Sequence, residues 1–240
     1  MQAQDGGSGN GLARELRDGV LWLAFDRPHA SNAIDSALGQ AFAAALDNAA
    51  RDPAVGAVIM TGAGDKMFSA GIDIKNPDGV DQEALSARRR DIVGKCLGAI
   101  VDFEKPLVAA VNGPAIGLAC MLVLLADRAI ASERASFSLP EIDIGIPTFL
   151  GISIVARELV LTGRRMDATE AKQRGLVAQI ESAREFGTAA QSAALALAAK
   201  PQGAYALNKR WLARGLREEF AAASAQSQAA QPFLAADNAR

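Results

Sequence analysis

The stretch of sequence that decides the fold is Val108–Leu125, VAAVNGPAIGLACMLVLL. It opens within a short apolar run typical of a buried strand, breaks at Asn112-Gly113-Pro114, and resumes at Gly117 as an apolar segment suited to a buried helix. A helix that starts after such a turn leaves backbone N–H groups free, and its dipole adds partial positive charge there. The stretch therefore predicts a place that can hold an anion or a developing oxyanion, although an ordinary buried strand–turn–helix unit has the same pattern.

Composition narrows the class of protein. Half of the 240 residues are hydrophobic, which is enough for one large core or a core with a small appendage. The net charge of −2 gives no general attraction to nucleic acid or to anionic membranes. Cys96 and Cys120 lie far apart in apolar helical patterns, which favours a reduced protein over a disulfide scaffold. His29 is the only histidine and there is no Cys-x-x-Cys pair, so we expect no metal site.

Two segments bear on targeting. Residues 1–11 are polar and glycine-rich, and they lack the basic start and apolar core of a signal peptide. We expect this segment to be disordered. The apolar run after Met121 meets Asp127-Arg128, too early for a membrane span. These features predict a soluble protein, with the cytoplasm as the expected compartment.

The remaining patterns predict alternating strands and helices. Arg17-Asp18-Gly19 between two apolar runs predicts a β-hairpin, and Asp35 and Asp167 are expected to be helix N-caps. The alternation of Ile142, Ile144 and Ile146 predicts a half-buried extended segment after Pro140. From Ser182 onward the composition becomes that of alanine-rich helix, so we expect a core over 12–181 and a helical region over 182–240.

Five segments in this order resemble the crotonase (enoyl-CoA hydratase/isomerase) superfamily. They are FSAGIDIK (68–75), KPLVAAVNGPAIG (105–117), DRAIAS (127–132), FSLPEIDIGIP (137–147) and LTGRRMDATEAKQRGLV (161–177). The resemblance extends from about Leu21 to about Leu212, most of the chain. It implies an α/β crotonase (ClpP/crotonase-like) fold, in which ββα units form a spiral of two near-perpendicular sheets. It also implies C-terminal helices that mediate trimers, which often pair into hexamers.

The resemblance further implies an acyl-CoA thioester substrate and a set of site residues. By position, the backbone N–H groups of Ile72 and Leu118 form the oxyanion hole, and Glu141 is the acid/base. Hydratases of the superfamily carry another glutamate on the central helix, where this chain has Met121. Methionine neither accepts nor donates a proton, so Met121 cannot serve as the second carboxylate of a hydration mechanism.

Other roles follow from the same resemblance. The expected coenzyme A contacts are Ala70, Ile72 and Lys75, and coenzyme A enters only as part of the substrate, with no other cofactor. The residues expected to line the acyl pocket are Phe68, Ala70, Gly117, Met121, Phe149 and Leu150.

The sequence leaves several functions open. One glutamate suffices to isomerise a 3-enoyl-CoA to a 2-enoyl-CoA, and this is the expected reaction. Alternatives are an enoyl-CoA hydratase with a rebuilt water site and another enolate reaction such as decarboxylation or C–C hydrolysis. A non-catalytic acyl-CoA-binding relative is the alternative from a different class. In that case Glu141 is an exposed carboxylate at the end of a strand, Lys75 is an exposed lysine and Met121 is a core residue. For Asp143 two roles stay open, a structural cap on the surface and a second acid.

Overall fold

The computed structural model describes residues 9–75, 81–144 and 154–237. Strands and helices alternate along these ranges, as the sequence predicts. The strands are β1 (Leu12–Arg17), β2 (Val20–Phe25), β3 (Ala57–Gly62), β4 (Leu107–Val111), β5 (Ala115–Ile116), β6 (Arg128–Ser132), β7 (Ser136–Ser138), β8 (Met166–Asp167) and β9 (Gln179–Glu181). The α-helices are α1 (Ser36–Arg51), α2 (Gln82–Asp102), α3 (Leu118–Leu124), α4 (Ile154–Thr162), α5 (Ala168–Gln173), α6 (Phe186–Ala198) and α7 (Gln202–Asp237).

The strands form two sheets. A six-stranded sheet has the order β1-β2-β3-β4-β6-β9, and a three-stranded sheet has the order β5-β7-β8. In the larger sheet β1 and β2 are antiparallel and the following pairs are parallel. Asp18 and Gly19 adopt φ of 49° and 76° between β1 and β2, so the predicted hairpin is confirmed.

Both faces of the larger sheet are covered. Because side chains alternate along a strand, Val58 and Met60 face the core that contains α1 and α3, whereas Ile59 faces α6. Ala190 and Ala194 of α6 have no exposed surface. The boundary expected at residue 181 falls between β9 and α6, and α6 itself forms the second layer on the sheet.

The predicted N-caps are confirmed. The Asp35 side chain accepts a hydrogen bond from the Leu38 N–H at 2.9 Å, and that of Asp167 accepts one from the Glu170 N–H at 2.8 Å. Each acceptor satisfies an N–H that has no partner inside its helix.

Two predictions differ from the structure. Of the segment expected to be disordered, 1–8 lie outside the described residues, but 9–11 adopt a defined conformation that leads into β1. The Gly11 carbonyl accepts the Asp26 N–H at 2.7 Å, next to the β1–β2 pair. Pro140–Ile144 form a 3₁₀ helix, so the predicted extended segment is wrong there. Proline at the first helical position is preorganised for that conformation, and Ile142 and Ile144 are exposed by 45% and 59%, so they form no half-buried strand face.

Candidate active site

Two chain segments meet at the carboxyl end of β4. Ser69 and Ala115 form an isolated parallel bridge, and the N–H groups of Phe68 and Ser69 both donate to the Pro114 carbonyl, at 3.1 and 3.2 Å. The Ile116 N–H donates back to the Ser69 carbonyl at 3.0 Å. These backbone bonds fix the loop that follows β3 against the turn that precedes α3.

Gly71 allows the closest approach of the two segments. It has φ of +83°, and a Cβ atom on it would lie 2.5 Å from the Ile116 carbonyl oxygen and 3.3 Å from the Leu118 nitrogen. Only glycine combines this backbone conformation with such a contact. Ile72, the next residue, is therefore held beside Leu118.

Two backbone donors are available at this junction. Among hydrogen bonds between described residues, none uses the N–H of Ile72 or that of Leu118. Leu118 is the first residue of α3, where an N–H has no intrahelical acceptor, and Gly117 before it makes no side-chain cap. Backbone donors of this kind can bind an oxygen atom that gains negative charge.

The Glu141 carboxyl group lies against this junction. A Cβ atom on Gly117 would come within 2.5 Å of Glu141 Oε1, so the carboxylate packs on the bare backbone next to Leu118. Glu141 Oε2 is buried and has no hydrogen-bond partner in the described part of the chain. Burial raises the pKa of Glu141 above its ordinary value, outweighing the opposing hydrogen bond from its own backbone. Such a group is suited to take up and release a proton.

No second acid joins Glu141 among the described residues. Met121, one turn into α3, is 6% exposed and belongs to the core. Asp143 is exposed and points elsewhere, since a Cβ atom on Gly163 would lie 2.5 Å from its Oδ2. The site therefore brings together two backbone donors and one desolvated carboxylate.

Comparison with known proteins identifies the family of the chain. A family model described as enoyl-CoA hydratase/isomerase matches residues 15–238. The chain belongs to the crotonase superfamily. It is thus an acyl-CoA-processing enzyme of the enoyl-CoA hydratase/isomerase family, and the expected fold is confirmed.

Relatives of this crotonase superfamily member match most of its length. A probable enoyl-CoA hydratase of Rhizobium meliloti is 36% identical over 225 residues, covering 87% of this chain and 86% of the relative. A carnitinyl-CoA dehydratase of Salmonella typhi is 40% identical over 198 residues, 75% of this chain and 74% of the relative. The solved structure of a carnitinyl-CoA dehydratase from Mycobacterium avium 104 superposes with a TM-score of 0.78 at 30% identity, covering 91% of each chain.

The remaining predicted residues of this crotonase superfamily member are spread around the junction. Phe68 has no exposed surface, and its ring packs edge-on against Phe25 with centroids 5.6 Å apart, which anchors the loop in the core. Ala70 is half-buried and Lys75 is exposed. Phe149 and Leu150 lie outside the described residues.

Sequence reasoning missed the residues that support the loop. The Asn32 side chain donates to the carbonyls of Ala63 and Met67, both at 3.0 Å, and accepts the Arg27 N–H at 3.0 Å. The Arg27 guanidinium reaches Asp73, the residue after Ile72. Arginine and aspartate are natural ion-pair partners, but the wide separation of Arg27 and Asp73 along the chain gives no spacing pattern that would have linked them.

Within the described ranges, no helix is long and apolar enough to cross a membrane. The same part of the chain contains no group of three His, Cys, Asp or Glu residues placed to hold a metal ion.

Proposed function

We propose that this enzyme moves the double bond of a 3-enoyl-CoA to position 2, with Glu141 as its single acid/base. The observation that supports this reaction is one desolvated carboxylate beside two free backbone donors, with Met121 where a second carboxylate would assist hydration. Isomerisation needs one base that serves twice, whereas hydration also needs a group that positions water.

The oxyanion hole makes the proton at C2 of the substrate removable. The N–H groups of Ile72 and Leu118 donate to the thioester oxygen, whose negative charge grows as the dienolate forms. Each donor of this kind typically stabilises the transition state by about 2.7–4 kcal/mol. Since both donors are backbone groups of a braced junction, they need little rearrangement during the reaction.

Glu141 then moves the proton. Its carboxylate takes a proton from C2, the electron pair spreads over the C2–C4 dienolate, and the same proton returns to C4, leaving the double bond between C2 and C3. The raised pKa of Glu141 reduces the cost of holding the proton in between. Met121 presents an apolar surface that disfavours water next to the dienolate.

The other site roles belong to this proposal. Gly117 and Met121 form the wall of the acyl pocket together with Ala70, while Phe68 supports that wall from the core. Ala70, Ile72 and Lys75 contact coenzyme A, with Lys75 near the nucleotide end, where an exposed ammonium can meet phosphate.

The first test is turnover of a 3-enoyl-CoA deuterated at C2. We expect a product of unchanged mass with part of the deuterium at C4, because one carboxylate carries the isotope between the two carbons. Glu141→Gln should lower kcat by about 10²–10⁴-fold. Unchanged turnover in this variant would show that Glu141 is not the base.

A second candidate is hydration or dehydration with Glu141 as the only carboxylate. The names of the relatives, enoyl-CoA hydratase and carnitinyl-CoA dehydratase, favour it. A product heavier by one water from a 2-enoyl-CoA would support this reaction. Met121→Glu is the matched variant: if the missing carboxylate limits hydration, the change should increase the hydrated product. Binding of the thioester without turnover of either substrate would favour a binding-only role.

A further inference from the structure

Arg27 lies between two carboxylates from different segments. Its Nη1 is 3.0 Å from Asp73 Oδ2, and its Nη2 is 3.3 Å from Asp35 Oδ2. The three side chains are exposed by only 17–24%. Nη1 also donates to the Ala33 carbonyl at 2.6 Å. The arginine therefore has a fixed position with charged partners on both sides, and such partly buried pairs are stronger than pairs on the open surface.

The backbone around Ile72 is held by the segment that follows Arg27. The Ile34 N–H donates to the Gly71 carbonyl at 2.7 Å, and the Asp73 N–H donates to the Ile34 carbonyl at 2.9 Å. Residues on both sides of Ile72 are thus bonded to Ile34, while no hydrogen bond between described residues uses the Ile72 N–H. The Arg27–Asp73 ion pair braces the same loop one residue further along.

The negative charge of Asp73 opposes the binding of an oxyanion at Ile72. Burial alone would raise the pKa of Asp73, but hydrogen bonds from Arg27 and from the Lys75 N–H outweigh burial and lower it, so the side chain is ionised. An ionised carboxylate next to an oxyanion donor opposes negative charge on the bound oxygen, because like charges repel and partial burial of Asp73 weakens the screening by water. A cation on Asp73 removes most of that opposition.

Gly11 leaves room for the side chain of Arg27. A Cβ atom on Gly11 would lie 2.8 Å from Arg27 Cγ and 2.9 Å from its Cδ, so the arginine stem packs on the bare backbone of Gly11. Gly11 has φ of +74°, a conformation that favours glycine.

We propose that Arg27 is a positioning residue of the oxyanion hole. Through its ion pair with Asp73 it fixes the Ile72 N–H and cancels the negative charge beside the place where the enolate oxygen develops. The inference rests on the proposed oxyanion hole and is independent of which enolate reaction follows.

The test is the ionisation of bound acetoacetyl-CoA, a 3-ketoacyl thioester whose enolate absorbs in the ultraviolet. The hole should raise the enolate-to-keto ratio over that of the free thioester. Arg27→Met should lower the ratio of the bound thioester, and kcat on the enoyl-CoA substrate, by about 10–100-fold with KM nearly unchanged, because the loss falls on developing charge. Arg27→Lys should recover part of both.

The double variant R27M/D73N separates this role from a merely structural one. Removing Asp73 as well removes the unpaired negative charge, so we expect a severalfold recovery of the enolate ratio and of kcat over R27M. Arg88→Met, which removes an exposed arginine on α2, is the matched control and should leave both quantities unchanged.

Two outcomes would overturn the inference. One is an enolate ratio in R27M equal to that in R88M, whatever happens to the melting temperature. The other is a double variant that recovers nothing. If the protein isomerises no enoyl-CoA but enolises acetoacetyl-CoA in an Arg27-dependent way, the proposed reaction fails while the role of Arg27 stands.

Discussion

At the scale of a single residue, Glu141 opposes folding by the same burial that suits it to catalysis. Its pKa is raised, so the folded protein binds its proton more tightly than the unfolded chain does, and stability falls as pH rises through the folded-state pKa. Glu141→Gln mimics the protonated form. We therefore expect its melting temperature to exceed that of the parent at about pH 8 and to match it near pH 4.

The control for this prediction is Glu133→Gln, which removes an exposed carboxylate from the turn after β6. The solvated charge there costs little, so its melting temperature should track the parent at both pH values. A constant difference between E141Q and the parent across the pH range would contradict the burial argument.

How much of the site could be predicted also depends on the residue. Glu141, Ile72 and Leu118 were expected at the site because they lie inside motifs that resemble those of the superfamily. The structure places Glu141 against Gly117, which precedes Leu118, and Gly71, which precedes Ile72, near the Leu118 nitrogen. Arg27 and Asp73 form an ion pair although they lie 46 residues apart in the sequence, and no periodicity links them. Their pairing results from the packing of loops in three dimensions, which a single sequence does not display.

At the scale of an element, Lys105 satisfies the end of α1. Its Nζ donates to the carbonyls of Ala49, Asp52 and Val55 at 2.7, 2.7 and 2.9 Å, so one ammonium serves acceptors in and after the last turn. Lys105→Met keeps the apolar stem and removes these bonds. We expect a loss of about 1.5–3 kcal/mol in the free energy of unfolding, measured by urea denaturation.

The matched variant is Lys95→Met on α2. Lys95 pairs with Asp91 on the surface, with side chains 46% and 53% exposed, and such pairs contribute little. A change within about 0.5 kcal/mol is expected. Equal losses of unfolding free energy in the two variants would mean that water can hydrogen-bond the three carbonyls as well as Lys105 does.

Elements were predicted well where one local interaction decides them. Asp35 and Asp167 cap helices because a short polar side chain can reach an N–H three residues on. The extended segment predicted after Pro140 was wrong over 140–144, because no described residue covers the face that Ile142 and Ile144 would form. Ile146, the third isoleucine of the pattern, lies outside the described residues. The short strands β5, β7 and β8 exist only through partners elsewhere in the chain, so local pattern gave no sign of them.

At the scale of the whole molecule, α6 packs on the six-stranded sheet through small side chains. Ala190 and Ala194 have no exposed surface, and a Cβ atom on Gly56 would lie 3.3 Å from Ala198 Cβ. Ala194→Leu should overpack this layer and cost about 1–3 kcal/mol of unfolding free energy. Ala196→Leu, on the exposed face of α6, should change stability by less than about 0.5 kcal/mol. A harmless A194L would mean that the layer is loosely packed.

The alternation of strands and helices could be read from the sequence pattern, whereas the crotonase fold was expected from the resemblance of five segments to that superfamily. The close fit of α6 could not be read from the pattern, since alanine-rich helix is compatible with a surface appendage as well as with an inner layer. The trimer or hexamer and the cytoplasmic location stay predictions.

The strand order of the large sheet has a consequence for synthesis on the ribosome. The order of the strands across the sheet, from β1 to β9, is also the order in which they are synthesised. Each strand therefore leaves the ribosome after the neighbour with which it pairs. The helix that covers one face of this sheet comes later than every strand, because α6 emerges after β9. Until then Val20, Ile59 and Val108 present a bare apolar face, so a nascent chain paused before Phe186 is a natural client for a chaperone.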